Sequence, residues 1–189
     1  MPRAIPLILA VFVASCLVGP ALDQIHVIGG ALSYADPWLL DQAWWVAPQF
    51  GLAFAAICAI SFAAQLRFGS PPTPPVPSAR IAVQVAWFVG AYLVTGAWWE
   101  RPWLVVALLA VALVVRMAAD RPDAATTRTI VLLALAGSLY EATLSSIPGT
   151  FDYAHTSGAP VPVWLPLLYA HGAPLLRSFT RTASARLAR

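Results

Sequence analysis

Charge is scarce in this chain, and lysine is missing altogether. Only 10% of the 189 residues are charged, and all eleven basic residues are arginine. A globular domain carries about 25% charge. So few charges cannot shield a chain that is 60% hydrophobic from water, which excludes an ordinary water-soluble fold. The missing lysine, together with the alanine-rich composition, reads as the coding bias of a GC-rich genome. The net charge of +3 is a property of loop arginines and carries topology rather than nucleic-acid binding. Only two cysteines occur, Cys16 and Cys58, both inside apolar runs. Each is expected to be a small buried hydrophobe rather than half of a disulfide.

Catalytic and metal motifs are also missing. There is no GxSxG elbow, no glycine-rich phosphate loop, no CxxC, and no HxxxH or HExxH pair. His26, His155 and His171 are too scattered for a metal site. Nucleophilic catalysis has no warrant. The enzyme reading that survives is an intramembrane one using Glu141 with His155 or His171.

What is present is a series of long apolar runs. A spanning helix needs roughly 20 apolar residues, and in lipid the backbone must satisfy itself, so such runs read as helices. Six are expected, at about residues 5–22, 44–66, 81–97, 102–117, 129–147 and 161–179, forming one domain. The linker Gly69–Ser78 (GSPPTPPVPS) is proline-rich and extended. Ala119–Thr127 is a polar turn, and Pro148–Pro160 is a loop punctuated by glycine and proline. No fixed-period repeat supports an inverted-repeat transporter. With the N-terminus cytoplasmic, ten arginines lie inside and only Arg101 outside, while Asp23, Asp36, Asp41, Glu100 and Asp152 lie outside. That bias predicts an even number of spans with both termini in the cytoplasm. Met1–Cys16 has the outline of a lipoprotein signal, but its apolar run continues past Cys16, and it is expected to remain as the first span.

Several residues are candidates for function. Glu141 is the one acid well inside an expected span, beside Ser138, Tyr140, Thr143, Ser145 and Ser146. A carboxyl exposed to lipid costs about 2.5–3.5 kcal/mol or more, so it must face protein or water. It either anchors a ligand head or a proton, or simply bonds a neighbouring helix. Seven of the eight tryptophans, among them Trp45 and Trp103, fall near the outer ends of spans. Most read as an interfacial belt, with one or two, such as Trp45, at the mouth of a cavity. Gly90 with Gly96, and Gly51 with Ala55, would let helices approach closely. Pro48, Pro166 and Pro174 should kink their spans.

The segment Ala43–Gly51, AWWVAPQFG, resembles the AWWVPP…G signature opening the second helix of the insulin-induced gene (Insig) proteins, the sterol-sensing family of the endoplasmic reticulum. FVG at Phe88–Gly90, ADR at Ala119–Arg121 and WLP at Trp164–Pro166 follow in family order, Tyr140 stands at the family's YNG segment, and Leu22–Gln24 also matches. The resemblance covers nearly the whole chain. The turn lacks the family's SRSG, and about two residues are missing between FVG and the DR turn, as in a distant bacterial relative.

The resemblance implies an all-α integral membrane protein: six transmembrane helices in an Insig-like bundle with a central lipid cavity. It implies that Phe88, Trp103 and Ala107 line that cavity; joined to the lone intramembrane acid, it puts Glu141 or Tyr140 near the polar part, and Trp45 is a further lipid-binding candidate. It further implies that Asp120 is the turn acid with which the family engages partner membrane proteins, unless it only caps a turn here. The expected activity is non-enzymatic: binding a sterol-like or diacylglycerol-type lipid, with no other cofactor and no metal, and regulating a partner membrane protein. Charged headgroups are disfavoured, because the candidate cavity residues include no basic cluster. Homo-oligomers in a bacterial plasma membrane, without nucleic acid, complete the expectation. The alternative class is a small-solute transporter or channel, which needs polar residues on several spans.

Overall fold

The computed structural model describes residues 4–68 and 75–187. Six helices account for most of them: α1 Ala4–Gly29, α2 Val46–Phe68, α3 Ser78–Trp98, α4 Pro102–Asp120, α5 Ala124–Ser145 and α6 Leu165–Leu187. Among the described residues three are long and apolar enough to cross a membrane on composition alone, namely α1 from Ile5, α3 and α4. They carry large apolar side chains on their outer faces, such as Leu17, Val83 and Val111. The least apolar helix, α6, packs against α2, α3, α4 and α5 and is correspondingly the most buried. Lipid selects the apolar helices, whereas α6 is solvated by protein and tolerates polar residues. The protein is therefore an integral membrane protein with a helical bundle.

Local chemistry sets the helix ends. Pro102 begins α4, where its missing N–H costs nothing. Arg121 closes the same helix in a left-handed conformation, φ 44°, and donates its N–H to Met117 O at 3.0 Å, with Pro122 following. Asp123 caps α5 by accepting the Thr126 N–H at 2.7 Å. That bond, before the nearby charges of Arg177 and Arg181, holds the Asp123 carboxyl below its ordinary range. Pro48 and Pro166 fall in the first turns of α2 and α6, where proline is tolerated, so among the three expected kink sites only Pro174 is interior. Of the expected glycine contacts, Gly96 packs on α1, and a Cβ added at Gly29 would lie 2.4 Å from Gly96 O. Gly90 has open space beside it.

Two departures from the sequence reading matter for the site. First, α1 does not stop near Leu22. It runs through Pro20 to Gly29, carrying Asp23 and His26 into the bundle. Second, the fold is not purely helical. The loop after α1 contains β1 (Leu32–Tyr34) and the loop after α5 contains β2 (Phe151–Tyr153), paired antiparallel with Leu32 opposite Tyr153 and Tyr34 opposite Phe151. Three-residue strands are too short to leave a period in the sequence. The linker residues 69–74 lie outside the described residues; just beyond them the Val76 N–H donates to Thr182 Oγ1 at 3.2 Å. Both cysteines are free, and Cys58 is buried.

Candidate functional site

Beneath the ribbon, polar side chains from four helices and both strands meet in one cluster. Glu141 of α5 accepts hydrogen bonds from the Tyr153 hydroxyl of β2 and the Tyr169 hydroxyl of α6. Asp23 of α1 accepts from the Tyr34 hydroxyl of β1. His26 lies one turn further along α1, its Nδ1 3.9 Å from Asp23 and its Nε2 2.7 Å from Thr95 Oγ1 of α3. Burial first, then the charge of Asp23, pushes the Tyr34 phenol well above its usual range. Burial, then Glu141 and Asp23, does the same for Tyr153. Each strand tyrosine thus feels both carboxyls and remains a neutral donor at any physiological pH.

Aromatic rings link the cluster into a continuous path. Phe88 meets Tyr92 edge-on at 5.2 Å, Tyr92 stacks on His26 at 5.0 Å, and His26 lies 5.5 Å from Trp164. Trp164 continues to Tyr153, then to Phe151, Tyr34 and Trp45. Trp164 is 1% exposed and packs between His26 and Tyr153. Chemically the cluster offers carboxyl acceptors and phenol donors to a hydroxyl group. Among the described residues no arginine reaches either carboxyl, and no group of three or more potential metal ligands exists.

The structure thus gathers three of the expected lipid-binding residues, Phe88, Trp45 and Glu141, around one cluster. It separates the others. Trp103 is 70% exposed, and Ala107 one turn on shares its outward stripe. The buried face of α4 is instead that of Val105 and Leu109, about 200° round the helix from Trp103 by helical geometry. Tyr140 is also turned outward. The implied cavity through Phe88, Trp103 and Ala107 is therefore corrected, because Trp103 and Ala107 have the wrong helical phase. Asp120 does more than end a turn. Its carboxylate sits 3.7 Å from Arg80 Nη2 and 3.7 Å from Arg116 Nε.

Sequence reasoning missed Asp23, His26, Tyr34, Tyr153 and Tyr169. Asp23 and His26 had a signal, being three residues apart on one helix face, but only for a helix that continues past Pro20. The tyrosines had none, since they reach Glu141 and Asp23 through tertiary contacts.

Comparison with known proteins supplies a frame. No curated protein sequence matches the chain. The mycobacterial Insig homolog MvINS from Mycobacterium vanbaalenii has a similar structure, with TM-score 0.76 and 24% identity, over 95% of this chain and 94% of that one. A structure of the cross-linked MvINS trimer gives the same values. The fold is therefore that of the Insig-like membrane proteins. A family model covering residues 78–188, from the start of α3 through the whole of α6, matches as well. The chain belongs to the family described as protein of unknown function DUF2878, built on an Insig-like membrane fold.

Proposed function

We propose that this protein binds a neutral lipid with a small hydroxyl head, such as a sterol-like or diacylglycerol-type molecule, within its helical bundle. The observation that carries the reading is the Glu141 carboxyl enclosed by the Tyr153 and Tyr169 hydroxyls, with Asp23 and Tyr34 beside it. An alcohol exchanges readily into such a network, because it donates to a carboxylate and accepts from a phenol. An anionic head would meet two acids. Lipid tails are already satisfied in the bilayer, so selectivity comes from shape and from these few hydrogen bonds. The function is binding rather than catalysis, and regulation of a partner membrane protein follows the Insig-like reading.

The same reading puts both termini in the cytoplasm of a bacterial plasma membrane, from the arginine bias. It also makes the protein a homo-oligomer, a trimer by analogy with MvINS. Native mass spectrometry of mildly purified protein tests the ligand. A neutral lipid mass should remain on the wild type and fall several-fold in Tyr153→Phe/Tyr169→Phe. Absence of any neutral lipid, or equal retention by the folded double variant, overturns the proposal.

A further inference from the structure

The end of the bundle away from the ribbon has the opposite chemistry. A cavity of about 330 Å³ lies there between α3, α4, α5 and α6, within the range of small-ligand sites. Five arginines line it, Arg80, Arg116, Arg121, Arg177 and Arg181, against only two acids, Asp120 and Asp123. The sequence shows no basic cluster among its candidate cavity residues, and these arginines, up to 101 positions apart, read singly as topology charges.

Arg116 is the decisive residue. It is 2% exposed, near the end of a helix whose one other charged residue is Asp120. Its Nη1 donates to His171 O at 2.7 Å. Its Nη2 and Nε have no hydrogen-bond partner among the described residues, although Nε lies 3.7 Å from Asp120 Oδ2. The Nε atoms of Arg177 and Arg181 are also buried without partners. The nearby ion pairs are all long: Arg80 to Asp120 at 3.7 Å and Arg181 to Asp123 at 3.8 Å. Hydrogen bonds run at about 2.7–3.2 Å, so the two acids offset charge without saturating the donors. Buried guanidinium donors without acceptors are costly, and a group with several anionic oxygens relieves that cost. The arginine fork matches phosphate geometry in a way a point charge does not.

We infer that this pocket binds a phosphate group. Its apolar wall of Leu113, Met117 and Ile130, continuous with Ala170 and Ala173, leads from the arginines into the bundle. Such a wall suits the stem of an anionic lipid whose head meets Arg116. The site is separate from the hydroxyl-lipid site and stands whether or not that reading holds.

The test uses full-length protein, delipidated in detergent, with thermal melts followed during titration. Dioctanoyl phosphatidylglycerol should raise the melting temperature in a dose-dependent way. Dioctanoylglycerol, with the same tails and no phosphate, reports the other site. Arg116→Gln should weaken the phosphatidylglycerol response at least ten-fold and leave the dioctanoylglycerol response unchanged. Because Arg116 is buried, Arg177→Gln/Arg181→Gln provides a second arm with the same expectation. Competition by millimolar inorganic phosphate identifies a free phosphate as the source, and its failure identifies a lipid; either supports a phosphate site. The inference is overturned if phosphatidylglycerol leaves the melting temperature of the wild type unchanged, or if folded arginine variants respond to phosphatidylglycerol as the wild type does.

Discussion

Glu141 shows how a single residue can be legible in kind and illegible in context. A carboxyl in an apolar run must have partners, and that much follows from the sequence. The identity of the partners does not, because Tyr153 and Tyr169 lie on other elements. Removing a donor so that a buried carboxyl oxygen is left unsatisfied costs about 1–3 kcal/mol. Tyr153→Phe should therefore lower the melting temperature more than Glu141→Gln, which keeps a carbonyl acceptor for one phenol. Equal or reversed effects would show that the phenols do not hold the carboxyl. Asp123 gives a second check at this scale. Asp123→Ala should cost about 0.5–2 kcal/mol through the lost cap. Its carboxyl is held below the ordinary value of 3.8, so its contribution is complete above that pH and disappears as pH falls through the lower native value. In acid melts, the gap between wild type and Asp123→Ala should be constant near neutrality and narrow below about pH 3.8.

At the level of elements, the six helices were readable because lipid imposes length and apolarity. Their ends were less so. Pro20 and the polar residues after Leu22 look like a boundary, yet a proline inside a membrane helix is compensated by its neighbours. The phase of α4 was also misassigned, because carrying a cavity position across a gap of about two residues rotates it by roughly 200°. With the phase corrected, Ala107→Trp projects away from the core and should leave lipid retention unchanged. Loss of co-purified lipid in the folded variant would restore Ala107 to the cavity. The α1–α3 contact makes a sharper prediction. In Gly29→Ala the added methyl meets the Gly96 carbonyl, a backbone atom that cannot swing aside. Overpacking of this kind costs about 1–3 kcal/mol, whereas Gly90→Ala, with open space beside it, should be near neutral in the same melts.

For the whole molecule, the arginine distribution was the most informative sequence signal, and the structure gives it a second meaning. Arginines whose bias predicts the orientation also converge on one pocket, a convergence that distance along the chain conceals. Cysteine labelling in a background lacking Cys16 and Cys58 tests the orientation. A membrane-impermeant probe should reach Asp152→Cys in intact cells and Ala124→Cys only after permeabilisation; the reverse pattern would invert the topology.

The short ribbon has a consequence in time. Its two strands are about 120 residues apart in the chain, and synthesis proceeds at roughly 5–20 residues per second. For some 6–24 s by that rate, the first strand waits without its partner, and Asp23 without the helix that carries Glu141. The polar cluster cannot close until the fifth helix and the loop beyond it have been made. Pairing of β1 with β2 thus marks the completion of assembly, and a chain halted before the fifth helix would display an open strand edge to whatever surveys unfinished membrane proteins.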